Sequence, residues 1–255
     1  MEYNIKNRIG ETKIMTCGEE ATIVEYIDAL NVKVMFKKFK DIYKCTYQQF
    51  KNGQVKSKLF PSIYNVGFIG LGKYKVSENS MHTIQYIYWE GMIRRCFGKK
   101  LKEKHHTYDN CTCCTEWLNF QVFAEWFDKN YYEIGNEKMN LDKDILIKGN
   151  KVYSPETCVF VPQNINKLFC KTDINRGNSP IGVSWHKQHN KFSATCNNGY
   201  KKKTHLGYFD TELEAFNIYK KYKEKVIKQI ANIYKDSIPE KLYNAMINYI
   251  VEITD

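Results

Sequence analysis

Two aspartates and two asparagines lie close together in LDKDILIKGNKVYSPETCVFVPQNIN, residues 141–166. Asp142 and Asp144 belong to MNLDKDIL, which reads as a strand, and TCVFVP reads as a second strand. Pro162 suits the first turn of a helix, QNINKLFC, that carries Asn164 and Asn166. Strand, loop, strand and short helix make a ββα unit, which brings a strand end beside a helix face. Hard oxygen ligands from those two places suit a cation that keeps several of its waters. Asp142 and Asp144 on the strand, with Asn164 and Asn166 on the helix, are therefore candidate ligands for Mg²⁺ or Mn²⁺. The bland reading of the same residues is a solvated aspartate pair with asparagines capping the helix.

Cysteine offers a second possible metal chemistry. Cys111, Cys113 and Cys114 lie beside His105 and His106, with Cys96 upstream and Cys158 and Cys170 downstream. Structural zinc sites usually show two ligand pairs spaced C-x₂₋₄-C. Here C-T-C-C has the wrong spacing and no second pair follows, so zinc is not expected. Free cysteines also pack as small hydrophobes.

These residues need a scaffold, and the composition allows one. The chain has 255 residues and is 43% hydrophobic, enough for real cores. A net charge of +11 points to an anionic partner, nucleic acid being the commonest for a soluble chain. A merely soluble basic protein is the alternative. Nine cysteines, an odd count, and no apolar run near the roughly 18 residues of a membrane span suggest a cytoplasmic chain with reduced thiols. No membrane partner is expected.

The pattern along the chain predicts an α+β protein. Residues 1–76 look β-rich: IVEYIDALNVKVMF holds two strand-like runs broken by Asp28 and Asn31. The glycines of GFIGLG (67–72) are spaced as turns or close backbone approaches, not as a dinucleotide-binding loop. Residues 80–135 read as two amphipathic helices, one carrying Trp89, Met92, Ile93 and Cys96 and one carrying Trp117, Phe120, Phe123, Ala124 and Phe127. A loop, FGKKLKEKHHTYDNCTCC, is expected between them. After a polar linker, Asn198-Gly199 signals a hairpin, Thr211 to Glu214 a capping box, and Ser237 to Glu240 the start of a last helix reaching about Ile253.

The 141–166 stretch resembles the HNH-type ββα-metal motif of phage homing endonucleases. Gly149-Asn150-Lys151 matches the motif's loop, and Pro155-Glu156-Thr157-Cys158 its Pro-Glu-Asn-Leu turn. The resemblance makes Asp142 the strand ligand and Asn166 the helix ligand of the metal. It departs at two places, with Lys143 where the general-base His is expected and Thr157 where a structural Asn is expected. WEGMIRRC (89–96) and EWLNFQVFAEW (116–126) also resemble phage proteins carrying this module. The implied activity is metal-dependent nicking of DNA in a phage-infected bacterial cell, with Asp142 and Lys143 as catalytic residues. Lys143 would assist the attacking water or hold the phosphate.

GVSWHK, KFSATC, HLGYFDT and EAFNIY, within 181–230, resemble an AP2 domain of the kind appended to such endonucleases. That implies a three-stranded sheet laid on double-stranded DNA with a helix behind it. Alternation then turns Phe192, Ala194 and Cys196 toward the helix and Lys191, Ser193 and Thr195 outward. Lys187, Lys201, Lys202, Lys203 and His205 add donors for phosphates and base edges. The chain is thus expected to hold three modules: β-rich 1–76, helical plus HNH-like ββα 80–170, and AP2-like with C-terminal helices 178–255. The rival expectations are a catalytically inactive scaffold acting as a DNA-binding regulator or anti-defence factor, and a basic protein that binds an acidic protein partner.

Overall fold

The computed structural model describes residues 7–170, 179–199 and 202–255 of a mixed α and β chain. It forms two compact units, Met1–Lys129 and Asn130–Asp255. The division falls inside the 80–170 segment, just ahead of the ββα stretch.

In the first unit, β1 (Thr12–Ile14), β2 (Glu20–Tyr26), β3 (Val32–Phe36) and β4 (Ile42–Cys45) form an antiparallel sheet in sequential order. Alternation buries Ala21, Ile23, Val32, Val34 and Phe36 against Met15, Phe50 and Val55. The expected break between β2 and β3 is made by the Asp28 carboxylate, which accepts from the N–H groups of Leu30 and Asn31. Helix α1 (Tyr47–Lys51) starts with a Thr46–Gln49 capping box. A short hairpin, β5 (Ser77–Glu78) and β6 (Met81–His82), leads into α2 (Ile84–Phe97). On α2, Trp89, Met92, Ile93 and Cys96 are all buried, as their spacing predicts. The stretch expected as a loop instead contains α3 (Lys99–Lys104) and the extended pair β7 (Thr112–Cys113). Helix α4 (Phe120–Asn130) buries Phe120, Phe123, Ala124 and Phe127, whereas Trp117 sits in a 3-10 turn ahead of it. Gly70, at φ +75°, runs so close to Asn119 that a Cβ there would collide with its side chain. The GFIGLG glycines do therefore include close backbone approaches.

The second unit begins with β8 (Met139–Asp142), followed by β9 (Val152–Tyr153), β10 (Val159–Pro162) and α5 (Gln163–Phe169). β8 and β10 pair antiparallel, Asp142 opposite Val159, and α5 packs against both. The strand–loop–strand–helix order expected of 141–166 is present. Then β11 (Val183–His186), β12 (Lys191–Asn197) and β13 (Lys203–Phe209) form an antiparallel three-stranded sheet. Helix α6 (Glu212–Tyr234) covers one face of it, starting with the predicted Thr211–Glu214 capping box. Helix α7 (Glu240–Ile247) stops six residues short of expectation; Asn248 ends it, and the chain beyond inserts Val251 into the sheet's core.

α6 carries two sets of buried residues. Ala215, Phe216 and Tyr219 pack with Val183, Ala194 and Cys196 of the sheet. Val226, Ile227, Ile230 and Ala231 pack with Val159, Val161, Ile165 and Leu168 of the ββα unit and with Leu242 and Met246 of α7. Both layers therefore depend on one helix. Ile227, 1% exposed, should cost about 2–5 kcal/mol when cut to alanine. Hydrogen exchange should then show β10 and β12 losing protection together; if only β10 is affected, the two layers are not coupled through α6.

Candidate nucleic-acid interface and the ββα loop

The side of the three-stranded sheet turned away from α6 is the more exposed one. Phe192, Ala194 and Cys196 pack toward the helix, as alternation requires. On the opposite side, Lys191, Ser193 and Thr195 of β12 pair with His186 and Ser184 of β11 and with Tyr208 and His205 of β13. A shift in register between Ala194 and Thr195 leaves Leu206 without a partner on β12. This bulge lets Leu206 pack into the helix-side core while His205 and Tyr208, three residues apart, both reach the outer face. Strict alternation puts residues three apart on opposite faces, so sequence reasoning did not find Tyr208.

Four rings gather there. The centroids of His189, His205 and His186 lie 4.3, 4.6 and 5.0 Å from that of Tyr208. His189, His205 and Tyr208 are exposed. Lys187, in the turn after β11, and Lys202 and Lys203, at the start of β13, are exposed, and Lys201 lies outside the described residues. Two expectations about this face change. Ser193 points outward by register but is buried, covered by its neighbours, with its hydroxyl 3.3 Å from His205 Nδ1. Lys191 is paired with Asp210 at 3.0 Å. Thr195 is half-buried. The sequence carries a matching charge pattern: residues 174–209 contain Arg176 and five lysines but no Asp or Glu.

The candidate metal site looks different. β8 ends at Asp142, so Lys143 and Asp144 lie in the following turn and not on the strand. Asp142 makes that turn: its Oδ1 accepts from the N–H groups of Asp144, at 2.9 Å, and Ile145, at 2.8 Å. Burial and then the charge of Asp144 push the Asp142 carboxyl up to about 6, against the pull of those two N–H groups and of Lys143. Lys143 is 7% exposed. Its ammonium bonds Asp144 Oδ2 at 3.2 Å and lies 5.8 Å from the centroid of the Tyr153 ring. Asn166 is half-buried on α5, which packs on β8. Asn164, on the exposed side of that helix, donates to Glu137 and to the Tyr234 hydroxyl.

The loop 143–152 is held without the expected asparagine at 157. Asn150 Nδ2 donates to the carbonyls of Lys143 and Val152, both at 2.7 Å. The Thr157 hydroxyl donates to Val152 O at 2.7 Å and accepts from Ser154 N–H. Thr157 thus braces the turn itself.

These residues do not fit Mg²⁺ or Mn²⁺ as they stand. One Asp142 oxygen is committed to backbone N–H groups, and one Asp144 oxygen to an ammonium. A buried cation, Lys143, already supplies the positive charge that two neighbouring carboxylates need. Nor is Lys143 placed on the surface to grip a phosphate. Among the described residues, no group of three or more His, Cys, Asp or Glu side chains is arranged to hold a metal, by zinc-type or other ligands. No helix among them is long and apolar enough to cross a membrane.

Two outcomes follow for the pair. In Lys143→Ala, the carboxylates lose their counter-charge, so Mn²⁺ should raise the melting temperature of the variant more than that of the wild type. An equal rise in both would mean that the cation site is open without the substitution. For Asp142, a raised carboxyl contributes stability that is full below the ordinary carboxylate range, about 4, and lost as pH rises through about 6. Metal-free Asp142→Asn, which keeps an acceptor oxygen for the turn, should therefore gain on the wild type as pH rises from 4.5 to 7. Parallel melting curves over that range would show that Asp142 does not titrate in this way. Compared with known proteins, the chain matches no family model, no curated protein and no solved structure.

Proposed function

We propose that this chain is a DNA-binding protein that places the outer face of its three-stranded sheet on duplex DNA and does not cleave it. The observation that carries this reading is the division of that sheet. One face packs against α6, while the other presents exposed His205 and Tyr208, with exposed Lys187 and His189 in the turn after β11 and exposed Lys202 and Lys203 at the start of β13. Cationic side chains release counterions when they meet phosphates, and histidine and tyrosine offer donors and ring faces to bases. The resemblance to an AP2 domain favours the same face. The bonded state of Lys143 and Asp142 favours an HNH-like scaffold that has kept its shape without its chemistry. A regulator or anti-defence factor that occupies a DNA site needs only the sheet.

Filter binding across a salt series tests the first half. Neutralising about five phosphates gives a log–log slope of roughly −4 to −5, and Lys203→Ala or Lys187→Ala should each reduce that slope by about 1 if the lysine neutralises one phosphate. Affinity that does not change between low and physiological salt would remove the DNA reading and favour an acidic protein partner. Supercoiled plasmid tests the second half: it should stay intact with Mg²⁺ or Mn²⁺ from pH 7 to 9.5. Nicking by the wild type but not by Asp142→Ala would restore the nuclease.

A further inference from the structure

Apart from the sheet and the ββα loop, the second unit holds a small cavity of about 50 Å³ beside α6. Its walls are mainly apolar, with Leu168, Phe169, Ile181 and Val251. It is partly open to solvent, and Cys170, which also lines it, is exposed. Lys223 of α6 belongs to the same lining. It lies four positions after Tyr219 and three before Val226, both buried, and so falls on the buried stripe of the helix. An apolar side chain is expected at such a position, and packing alone gives no reason for a lysine. The residue is half-buried, and among the described residues its ammonium has no hydrogen bond or ion pair. The cavity's carboxylate, Asp255, is committed elsewhere: its Oδ2 accepts from Lys148 Nζ at 2.8 Å and from the Glu252 N–H at 2.9 Å.

We propose that Lys223 is a nucleophilic amine that takes up short aliphatic aldehydes, of two or three carbons, as an imine. Size sets the chain length. At roughly 10–15 Å³ for each water-sized group, the cavity has room for about four non-hydrogen atoms. Polarity sets the class. A free anion needs several donors to replace its water, whereas most of this lining is apolar. A neutral carbonyl compound brings one polar atom to the amine and sets its carbons against the walls. Protonation agrees: burial pushes the Lys223 ammonium below the usual lysine range, so more of it is the free amine that attacks.

The step balances without an oxidant or reductant. The Nζ lone pair attacks the carbonyl carbon, the C=O pair moves to oxygen, and one N–H proton passes to that oxygen. The carbinolamine then loses its hydroxyl and the second N–H proton as water while C=N forms. One amine and one aldehyde give one imine and one water. Placed between the two buried sets of α6, the adduct fills space that packing leaves empty. This proposal does not depend on DNA binding.

Folded full-length protein is treated at pH 7 with propanal and cyanoborohydride, which reduces the imine to N-propyl-lysine, and chymotryptic peptides are mapped by mass spectrometry. Lys223 should carry several times the label of Lys221, Lys225 and Lys228, which are exposed on the same helix. The preference should vanish when the chain is labelled unfolded in guanidinium chloride. A bulkier aldehyde, pyridoxal phosphate, should label the three exposed lysines and leave Lys223 unmodified. Label on Lys223 no higher than on those three, a preference that persists in the unfolded chain, or equal access for pyridoxal phosphate would each overturn the proposal.

Discussion

The second unit rests on a single helix that must satisfy two apolar surfaces at once. α6 has 23 residues, about 35 Å at 1.5 Å per residue. Its buried positions run from Ala215 and Tyr219 through Val226 to Ile230, a stripe at helical spacing. The first turns of that stripe cover the three-stranded sheet, and the last ones cover the ββα strands and α7. Neither layer has a core without it. A three-stranded sheet or a two-stranded ββα unit is too thin to bury its own inner face. Segments that resemble two separate modules therefore share one support, which leaves the sheet's outer face uncovered by α6.

Electrostatics treats the two candidate sites in opposite ways. On the sheet, positive side chains are left exposed, where water supports them. In the ββα loop, the positive charge is taken inside and set against two carboxylates. A buried ammonium is stable only when its partners remain, so Lys143, Asp142 and Asp144 are constrained together. Asp142 also shapes the backbone through its two N–H bonds, and this geometric use does not depend on any chemistry.

Much of this was legible in the residues. The helical spacing of α2, the strand–loop–strand–helix order of 141–166, the capping box at Thr211 and the inward set Phe192, Ala194 and Cys196 all follow from period and end chemistry. What was hidden depends on details that one-dimensional patterns do not carry. The bulge at Leu206 resets alternation by one residue and brings His205 and Tyr208 to the same face. Ser193 is covered by neighbours from another strand. Asp144 leaves the strand because the Asp142 side chain captures the N–H groups that would have extended it. The burial of Lys143 is a tertiary fact: the sequence placed a lysine between two aspartates without saying which way it pointed.

The acid-free run from 174 to 209 ends abruptly, and Asp210, Glu212 and Glu214 follow at the start of α6. Lysines thus crowd the strands and the hairpin while carboxylates collect at the helix entrance. Lys191 and Asp210 meet as an ion pair, and the lysines and carboxylates outside that pair, placed so unevenly, give that part of the unit a permanent electric moment. A body with such a moment experiences a torque in an external field as well as a pull. It is rotated toward one orientation before any atoms touch, within the roughly 8 Å over which physiological salt lets a field persist.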